Sequence, residues 1–321
     1  MQVTVIDEKT KALTAQERMK QYRRFNILAL DGGGTRGTIE AVVLERLDKE
    51  FPSLMRKTDL IVGTSTGGIQ ALGLAAGNTP TEVRETYVDS LQRVFADTLI
   101  DDVRDLWKAT GADYSTDNMR EVLTEQFGDK KLKDLEKKVA IPAFDLDPGP
   151  DRQFRSWKLK VFHNCEGPDF DGEELCVDVG LRTSSAPVFF PTVDGYCDGG
   201  VVANNPALIG LTQALRTGND LPQINILSLG AGKSARWAEG GNLDWGAAQW
   251  APHILYMMLE GGINMIDFQC QQILGEHYHR INPTLAEKMG LDDWSKVPDI
   301  MDVGNEVDLK ASLKWLEEHW K

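Results

Sequence analysis

The amino-acid sequence predicts an α/β fold with a mostly parallel central sheet. Two short apolar runs, "NILAL" at 26–30 and "LIVG" at 60–63, have the length and composition of buried strands. The segment between them carries apolar residues at helical spacing on one face: Ile39, Val42, Val43, Leu47 and Phe51. A strand, a helix and a second strand in this order form a βαβ unit, in which the two strands are parallel.

The rest of the chain supplies further elements of both kinds. Residues 81–138 are charged and amphipathic in the manner of surface helices. "KKVAIPAFDLD" and "WKLKVFHN" predict further strands, and "INILSLGAG" at 224–232 predicts another buried one. Strands and helices therefore continue to alternate beyond the first unit.

No linker, internal repeat or low-complexity block divides the chain. We expect a polar N-terminal arm at 1–24, followed by one domain at 25–321 with C-terminal helices from about residue 251. The last segment, "DLKASLKWLEEHW", predicts a helix that docks on the domain through one apolar side: Leu309, Leu313, Leu316 and Trp320.

Composition and charge exclude several classes of protein. The 321 residues are 41% hydrophobic, which is enough for a large core. The net charge of −14 has the wrong sign for nucleic-acid binding or for long-range attraction to anionic membranes.

The first residues lack the features of a Sec signal peptide, so we expect a cytoplasmic protein, with specialised secretion left open. The uncharged run from Leu60 to Thr81 is too rich in glycine and threonine for a membrane span, and a strand, turn and helix explain it better.

The cysteines show neither a C-x-x-C pair nor the spacing of a metal finger. They are expected to be reduced, structural thiols: Cys165, Cys176, Cys197 and Cys270.

A glycine-rich loop, "DGGGTRG", follows the first predicted strand. Gly32, Gly34 and Gly37 satisfy G-x-G-x-x-G, a spacing that can hold a dinucleotide pyrophosphate at a helix N-terminus. The same unhindered amide N–H groups can form the oxyanion hole of an acyl-transfer enzyme. Both sites aim amide groups at negative charge, so the loop alone leaves the two interpretations open.

The second predicted strand ends in "GTSTG", a G-x-S-x-G sequence between a strand and a helix. In a nucleophile elbow, glycines such as Gly63 and Gly67 let the backbones pass closely while the hydroxyl of Ser65 projects at a helix N-terminus. The helix dipole there favours developing negative charge. Taken alone, the motif also fits a tight turn with a capping serine.

The end of the second strand separates the two interpretations of the glycine-rich loop. A dinucleotide site needs an Asp or Glu there to hold the ribose, whereas this strand ends in Gly63, Thr64 and Ser65. Adjacent parallel strands bring their carboxyl ends to one sheet edge, so Gly32–Gly34 are expected beside Ser65. This arrangement favours an oxyanion hole.

Three motifs in order resemble those of the patatin-like phospholipases, lipid acyl hydrolases that use a Ser–Asp dyad. They are "DGGGTRG", "GTSTG" and "DGG" at 198–200. The likeness extends from about Phe25 to at least Pro283 and includes "LRTSSAPVFFP" and "DGGVVANNPA".

The resemblance implies a three-layer α/β/α fold of the patatin type, with Ser65 as nucleophile and Asp198 as base. Burial would make this aspartate more basic than a free carboxylate, whose pKa is about 3.9. The remaining implied residues are an oxyanion hole of Gly32, Gly33 and Gly34 and supporting positions at Arg36, Gly63, Gly67, Gly199 and Gly200.

The resemblance also implies a phospholipid or other acyl-ester lipid as substrate, reached by transient contact with a membrane surface. No metal, cofactor or nucleic acid is implied. Two rival functions remain: a nucleotide-binding oxidoreductase that uses the G-x-G-x-x-G loop, and a catalytically silent interaction module.

A cluster of tryptophans, Trp237, Trp245 and Trp250, precedes the apolar stretch "HILYMML". The cluster fits a lipid-seeking surface or flap, and it fits packing in the core equally well.

Overall fold

A mostly parallel sheet forms the centre of the molecule. The computed structural model describes residues 23–95, 111–150, 155–234, 236–286 and 289–321, so the predicted arm lies outside the described residues except for its last two. In chain order the strands of the described part are β1 (Phe25–Leu30), β2 (Leu60–Gly63), β3 (Lys138–Asp145), β4 (Lys158–His163), β5 (Tyr196–Asp198), β6 (Ile224–Leu229) and β7 (Tyr278–Ile281). Their order across the sheet is β4-β3-β2-β1-β6-β7, and β5 pairs with β3.

Helices cover both faces of this sheet. They are α1 (Gly37–Glu50), α2 (Leu54–Lys57), α3 (Thr66–Ala75), α4 (Pro80–Phe95), α5 (Thr116–Phe127), α6 (Cys176–Ser184), α7 (Gly200–Ala203), α8 (Ala207–Arg216), α9 (Ala247–Leu274), α10 (Val297–Glu306) and α11 (Lys310–His319). Alternate residues of β1 enter two separate apolar clusters, Leu28 and Leu30 on one face and Ile27 and Ala29 on the other. The predicted three-layer α/β/α fold with a mostly parallel sheet is confirmed.

The strands predicted from apolar runs are present, and β1 pairs in parallel with β2 as the βαβ unit requires. The uncharged run from Leu60 to Thr81 forms β2, a turn, α3 and the start of α4. None of the helices in the described ranges combines the length and the apolar character needed to cross a membrane.

Strand pairing brings three loops to one edge of the sheet. Leu30 at the end of β1 lies opposite Gly63 of β2 and Leu229 of β6, so the loops that follow all three strands leave side by side. Strand β5 runs antiparallel along β3 just beyond the end of β2, with Asp198 opposite Ala143. This pairing carries Asp198 to the edge where β2 ends.

The C-terminal part, in which helices were expected from about residue 251, contains the strand β7 in addition to helices. Helix α9 begins at Ala247, and β7 then joins the sheet next to β6. The strand escaped prediction because its two central residues are polar: His279 hydrogen-bonds Ser312 at 2.9 Å, and Arg280 pairs with Asp31.

Helix α11 packs against the core through the side predicted from its sequence. Leu316 and Trp320 are completely buried, and Leu309 nearly so. The Trp320 indole N–H donates a hydrogen bond to the Leu54 carbonyl at 3.1 Å. The end of the described chain is therefore part of the core.

Replacement of Trp320 by alanine is expected to lower the free energy of unfolding by about 3–5 kcal/mol, because it leaves a cavity in the core and removes a buried hydrogen bond. Urea denaturation followed by circular dichroism measures this change. Trp237→Ala is the matched control, since its side chain is 76% exposed. Equal effects of the two substitutions would contradict the assigned role of α11.

Candidate active site

The turn between β2 and α3 places Ser65 in a strained backbone conformation. Ser65 has φ 53° and ψ −124°, a region that residues with a side chain rarely occupy. A Cβ at Gly63 would lie 2.1 Å from the Gly67 carbonyl oxygen, and one at Gly67 would lie 2.4 Å from that of Leu30. These glycines permit the close backbone approach that the G-x-S-x-G spacing predicts.

Thr183, at the end of α6, stabilises this turn through its side-chain hydroxyl. The Ser65 N–H donates to the Thr183 hydroxyl at 3.0 Å, and that hydroxyl donates to the Pro142 carbonyl at 2.6 Å. Thr183 is fully buried, so its hydroxyl is committed to these two partners. Sequence reasoning noted its segment only as part of the family likeness and assigned the residue no role.

Asp198 lies beside Ser65. The Ser65 hydroxyl lies close enough to the Asp198 carboxylate to stabilise its charged form, and this carboxylate also accepts the Gly200 N–H at 2.6 Å. A Cβ at Gly199 would lie 2.3 Å from the Pro142 carbonyl oxygen, so glycine is needed for β5 to continue into α7 here. The structure thus brings together the two residues of the predicted dyad.

The Asp198 carboxyl is buried, and this changes its acidity. Burial raises its pKa to about 6 from an ordinary value of 3.8, although the nearby Ser65 hydroxyl and the Gly200 N–H stabilise the charged form and oppose the shift. At neutral pH the group is ionised and is a stronger base than an exposed carboxylate.

The glycine-rich loop lies next to Ser65, but its three glycines differ. The Gly32 N–H donates to the Asn204 carbonyl at 2.9 Å, and the Asn204 side-chain amide donates back to the Gly32 carbonyl at 3.0 Å. Among the described residues, none accepts a hydrogen bond from the N–H of Gly33 or Gly34. Of the three glycines predicted to form an oxyanion hole, Gly32 thus has its N–H engaged by Asn204, and the N–H groups of Gly33 and Gly34 are the two that could bind a substrate oxygen.

Two hydroxyls fix the far end of this loop. Tyr87 and Thr66 both donate to the Gly34 carbonyl, at 2.6 and 3.0 Å. Gly34 itself has φ 54°, and a Cβ there would lie 1.9 Å from the Leu291 carbonyl oxygen. The position therefore requires glycine for both conformation and space.

A buried ion pair fixes the start of the loop. Arg280 of β7 reaches both oxygens of Asp31, at 3.1 and 2.5 Å, and donates to the Ser228 hydroxyl at 2.6 Å. Burial raises the pKa of Asp31, and the Arg280 guanidinium opposes that shift. Such two-pronged pairs fix geometry as well as charge. Sequence reasoning missed Arg280, which lies in a short polar strand far along the chain.

Arg36, predicted to support the loop, is buried behind it. Its guanidinium donates to the Ser234 hydroxyl at 2.7 Å and so ties the glycine-rich loop to the segment after β6. Because Arg36 contacts that neighbouring segment, it can help to position the glycine-rich loop.

An apolar cavity leads from Ser65 and Asp198 into the helical layer. Its walls come mainly from α4, α5 and the segment 184–190, and α9 adds two leucines; the apolar lining includes Val83, Leu91, Met119, Phe190, Leu255 and Leu259. No histidine is among the described residues that line it. Such a cavity suits an extended hydrocarbon chain with one end at the hydroxyl of Ser65.

The remaining sequence features fall outside this site. The four cysteines are free and buried. Within the described ranges, no three His, Cys, Asp or Glu side chains converge as a metal site requires.

Comparison with known proteins identifies related chains. The family model described as "Patatin-like phospholipase" matches residues 28–211. A "cGAMP-activated phospholipase" of Pseudomonas aeruginosa is 30% identical over 296 residues, covering 89% of this chain and 86% of the relative. "Patatin-like protein 2" of Arabidopsis thaliana is 28% identical over 339 residues, covering 89% and 80%. Among solved structures, VipD from Legionella pneumophila aligns with a TM-score of 0.46 at 11% identity, covering 93% of this chain and 67% of VipD.

The raised pKa of Asp198 predicts a pH-dependent gain in stability for Asp198→Asn. Between pH 3.8 and about 6 the folded protein retains a proton that the unfolded chain has lost, so its stability falls as the pH rises. The neutral variant avoids this cost and is expected to be about 1–3 kcal/mol more stable than the wild type at pH 7.5, with the difference fading near pH 4.

Urea denaturation at both pH values measures this difference. Asp302→Asn, at an exposed position on α10, is the control for loss of a charge. A wild type that is as stable as Asp198→Asn at pH 7.5 would contradict the proposed cost of burying this carboxylate.

Proposed function

This chain belongs to the patatin-like phospholipase family, and we propose that it is a serine lipid acyl hydrolase with a Ser65–Asp198 dyad. Membership of this family supports hydrolysis of lipids as the activity of the chain. One observation carries the finer proposal: the buried Asp198 carboxylate lies beside the Ser65 hydroxyl at the end of an apolar cavity, next to two backbone amides that find no acceptor among the described residues.

The first half of the proposed reaction forms an acyl-enzyme. The Ser65 oxygen attacks the ester carbonyl carbon while its proton passes to the Asp198 carboxylate. The carbonyl π electrons move onto oxygen, and the N–H groups of Gly33 and Gly34 stabilise the resulting oxyanion. When the tetrahedral intermediate collapses, the ester C–O bond breaks and Asp198 returns the proton to the leaving alcohol.

The second half repeats this chemistry with water. Asp198 takes a proton from a water molecule as its oxygen attacks the acyl carbon, and the same amides hold the second oxyanion. Collapse returns the proton to the Ser65 oxygen and releases the carboxylic acid. The raised pKa of Asp198 suits both directions of proton transfer, because the group gains and loses a proton close to neutral pH.

The geometry also weighs against the rival oxidoreductase. The Gly32 N–H, which a pyrophosphate would need, is engaged by Asn204. Strand β2 ends at the Ser65 turn and carries no acid for a ribose. The expected cytoplasmic location stays a prediction.

Ser65→Ala and Asp198→Asn are each expected to abolish turnover of p-nitrophenyl esters and of phospholipid, since the first lacks the nucleophile and the second the base. Steady-state kinetics measures the loss, and circular dichroism checks that each variant is folded. Thr124→Ala, at an exposed position on α5 whose hydroxyl donates to the Arg120 carbonyl, is the control for loss of a hydroxyl away from the site. Substantial turnover by either dyad variant would refute the mechanism, and an inactive wild type on every ester would favour the silent module.

Gly33→Ala tests the oxyanion hole. The new Cβ would lie 2.2 Å from the Ala231 Cβ, so the loop must shift. Since one oxyanion donor contributes about 100- to 1,000-fold to turnover, kcat is expected to fall by about that factor with little change in KM.

Addition of Ala231→Gly removes the contact, and the double variant is expected to recover most of the lost kcat. Gly241→Ala is the matched control because a Cβ there meets open space. A change confined to KM would contradict a role for these amides in the transition state.

A further inference from the structure

We propose that the exposed face of α9 docks this protein on a zwitterionic lipid surface, next to the mouth of the catalytic cavity. This α9 face consists of five exposed apolar side chains: Ile254, Met257, Met258, Met265 and Phe268. The inference rests on the proposed function, since it supplies the route by which a lipid substrate reaches Ser65.

The first observation is the absence of charge on the α9 face. Of the 28 residues of α9, only Glu260 and Asp267 are charged. Neither belongs to the face: Glu260 is partly buried near Arg36, and Asp267 lies 3.8 Å from the Arg280 guanidinium. A solvent-facing helix of a chain with a net charge of −14 would ordinarily carry charged residues on its outer side.

The second observation is the exposure of large apolar side chains at helical spacing. Met257 is 55% exposed and Phe268 is 66% exposed, and the other members of the face are also exposed. Spacings of three, four and seven residues place them along one side of the helix. A continuous apolar surface of this kind is typical of a binding site.

The third observation is that the same helix also lines the catalytic cavity, which points to lipid as the partner of the α9 face. Leu255 and Leu259, on the same helix, line the cavity. A Cβ at Gly200 would lie 3.0 Å from Leu259, so α9 reaches the residues beside Asp198. An acyl chain that leaves a lipid aggregate at the α9 face can enter the cavity along the same helix with little exposure to water.

The side chains present suit a lipid interface. Methionine is flexible and adapts to irregular apolar surroundings. Trp237, which precedes α9 in the chain, is 76% exposed, and tryptophan is favoured at membrane–water interfaces. The net negative charge disfavours attraction to anionic lipids, so apolar contact with zwitterionic lipid is the mode that the structure supports.

Binding is tested on Ser65→Ala protein, so that hydrolysis cannot alter the lipid. Sedimentation with phosphatidylcholine vesicles compares this parent with added Met257→Gln/Met258→Gln and, separately, with added Phe268→Gln. The double substitution is expected to weaken vesicle binding about tenfold or more, because two apolar side chains lose their burial. Leu221→Gln, at an exposed leucine near the amino edge of the sheet, is the matched control and is expected to bind like the parent.

Activity provides the second readout, now with Ser65 intact. The α9-face variants are expected to keep the wild-type rate on water-soluble p-nitrophenyl butyrate and to lose activity on phosphatidylcholine vesicles. If the wild type is inactive on both substrates while the Ser65→Ala parent still binds vesicles through α9, the proposed function fails and the docking surface stands.

Any one of the following results would overturn the docking proposal. The first is vesicle binding that the α9 substitutions leave unchanged, or no binding by the parent. The second is binding that requires phosphatidylglycerol and disappears in high salt, since that is electrostatic attraction. The third is a dimer, detected by analytical ultracentrifugation, that the α9 substitutions dissociate without changing vesicle binding.

Discussion

Burial of the Asp198 carboxylate against Ser65 is the interaction on which the rest of the site depends. Burial makes this carboxylate a useful base, with a pKa of about 6, and it also costs stability whenever the group is ionised. Two features hold it there: β5, which pairs with β3 just past the end of β2, and the Gly200 N–H. The sheet therefore fixes the distance between Asp198 and Ser65.

Contacts around this pair hold the backbone of the Ser65 turn and of the glycine-rich loop in conformations that it would not adopt without them. Thr183 fixes the strained turn at Ser65, while Asn204 and the Asp31–Arg280 pair hold the glycine-rich loop against it. Amides held in place beforehand need no reorganisation when charge develops in the transition state. The proposed oxyanion hole therefore rests on contacts that fix the rest of the loop: Asn204 binds the Gly32 carbonyl, Tyr87 and Thr66 bind that of Gly34, and Arg280 binds Asp31.

The features that could be predicted from the sequence are those that depend on residues close together along the chain. Short apolar runs predicted β1, β2 and β6, and glycine spacing predicted the turn at Ser65. Features that depend on distant partners were missed: Arg280 lies 249 residues along the chain from Asp31, and the pairing of these two charges explains how the polar strand β7 fits into the sheet. Engagement of the Gly32 amide by Asn204 was equally hidden, because it depends on how the segment after Asp198 folds back onto the loop.

The pH dependence of fluorophosphonate labelling at Ser65 tests the central claim most directly, because it reports activation of the serine by Asp198 without any lipid. Mass spectrometry of the labelled peptide gives the rate. The account predicts an adduct at Ser65 whose rate of formation rises through a single ionisation with a pKa of about 6, and no such rise in Asp198→Asn. A rate that is independent of pH, or labelling of Asp198→Asn as fast as the wild type, would contradict it.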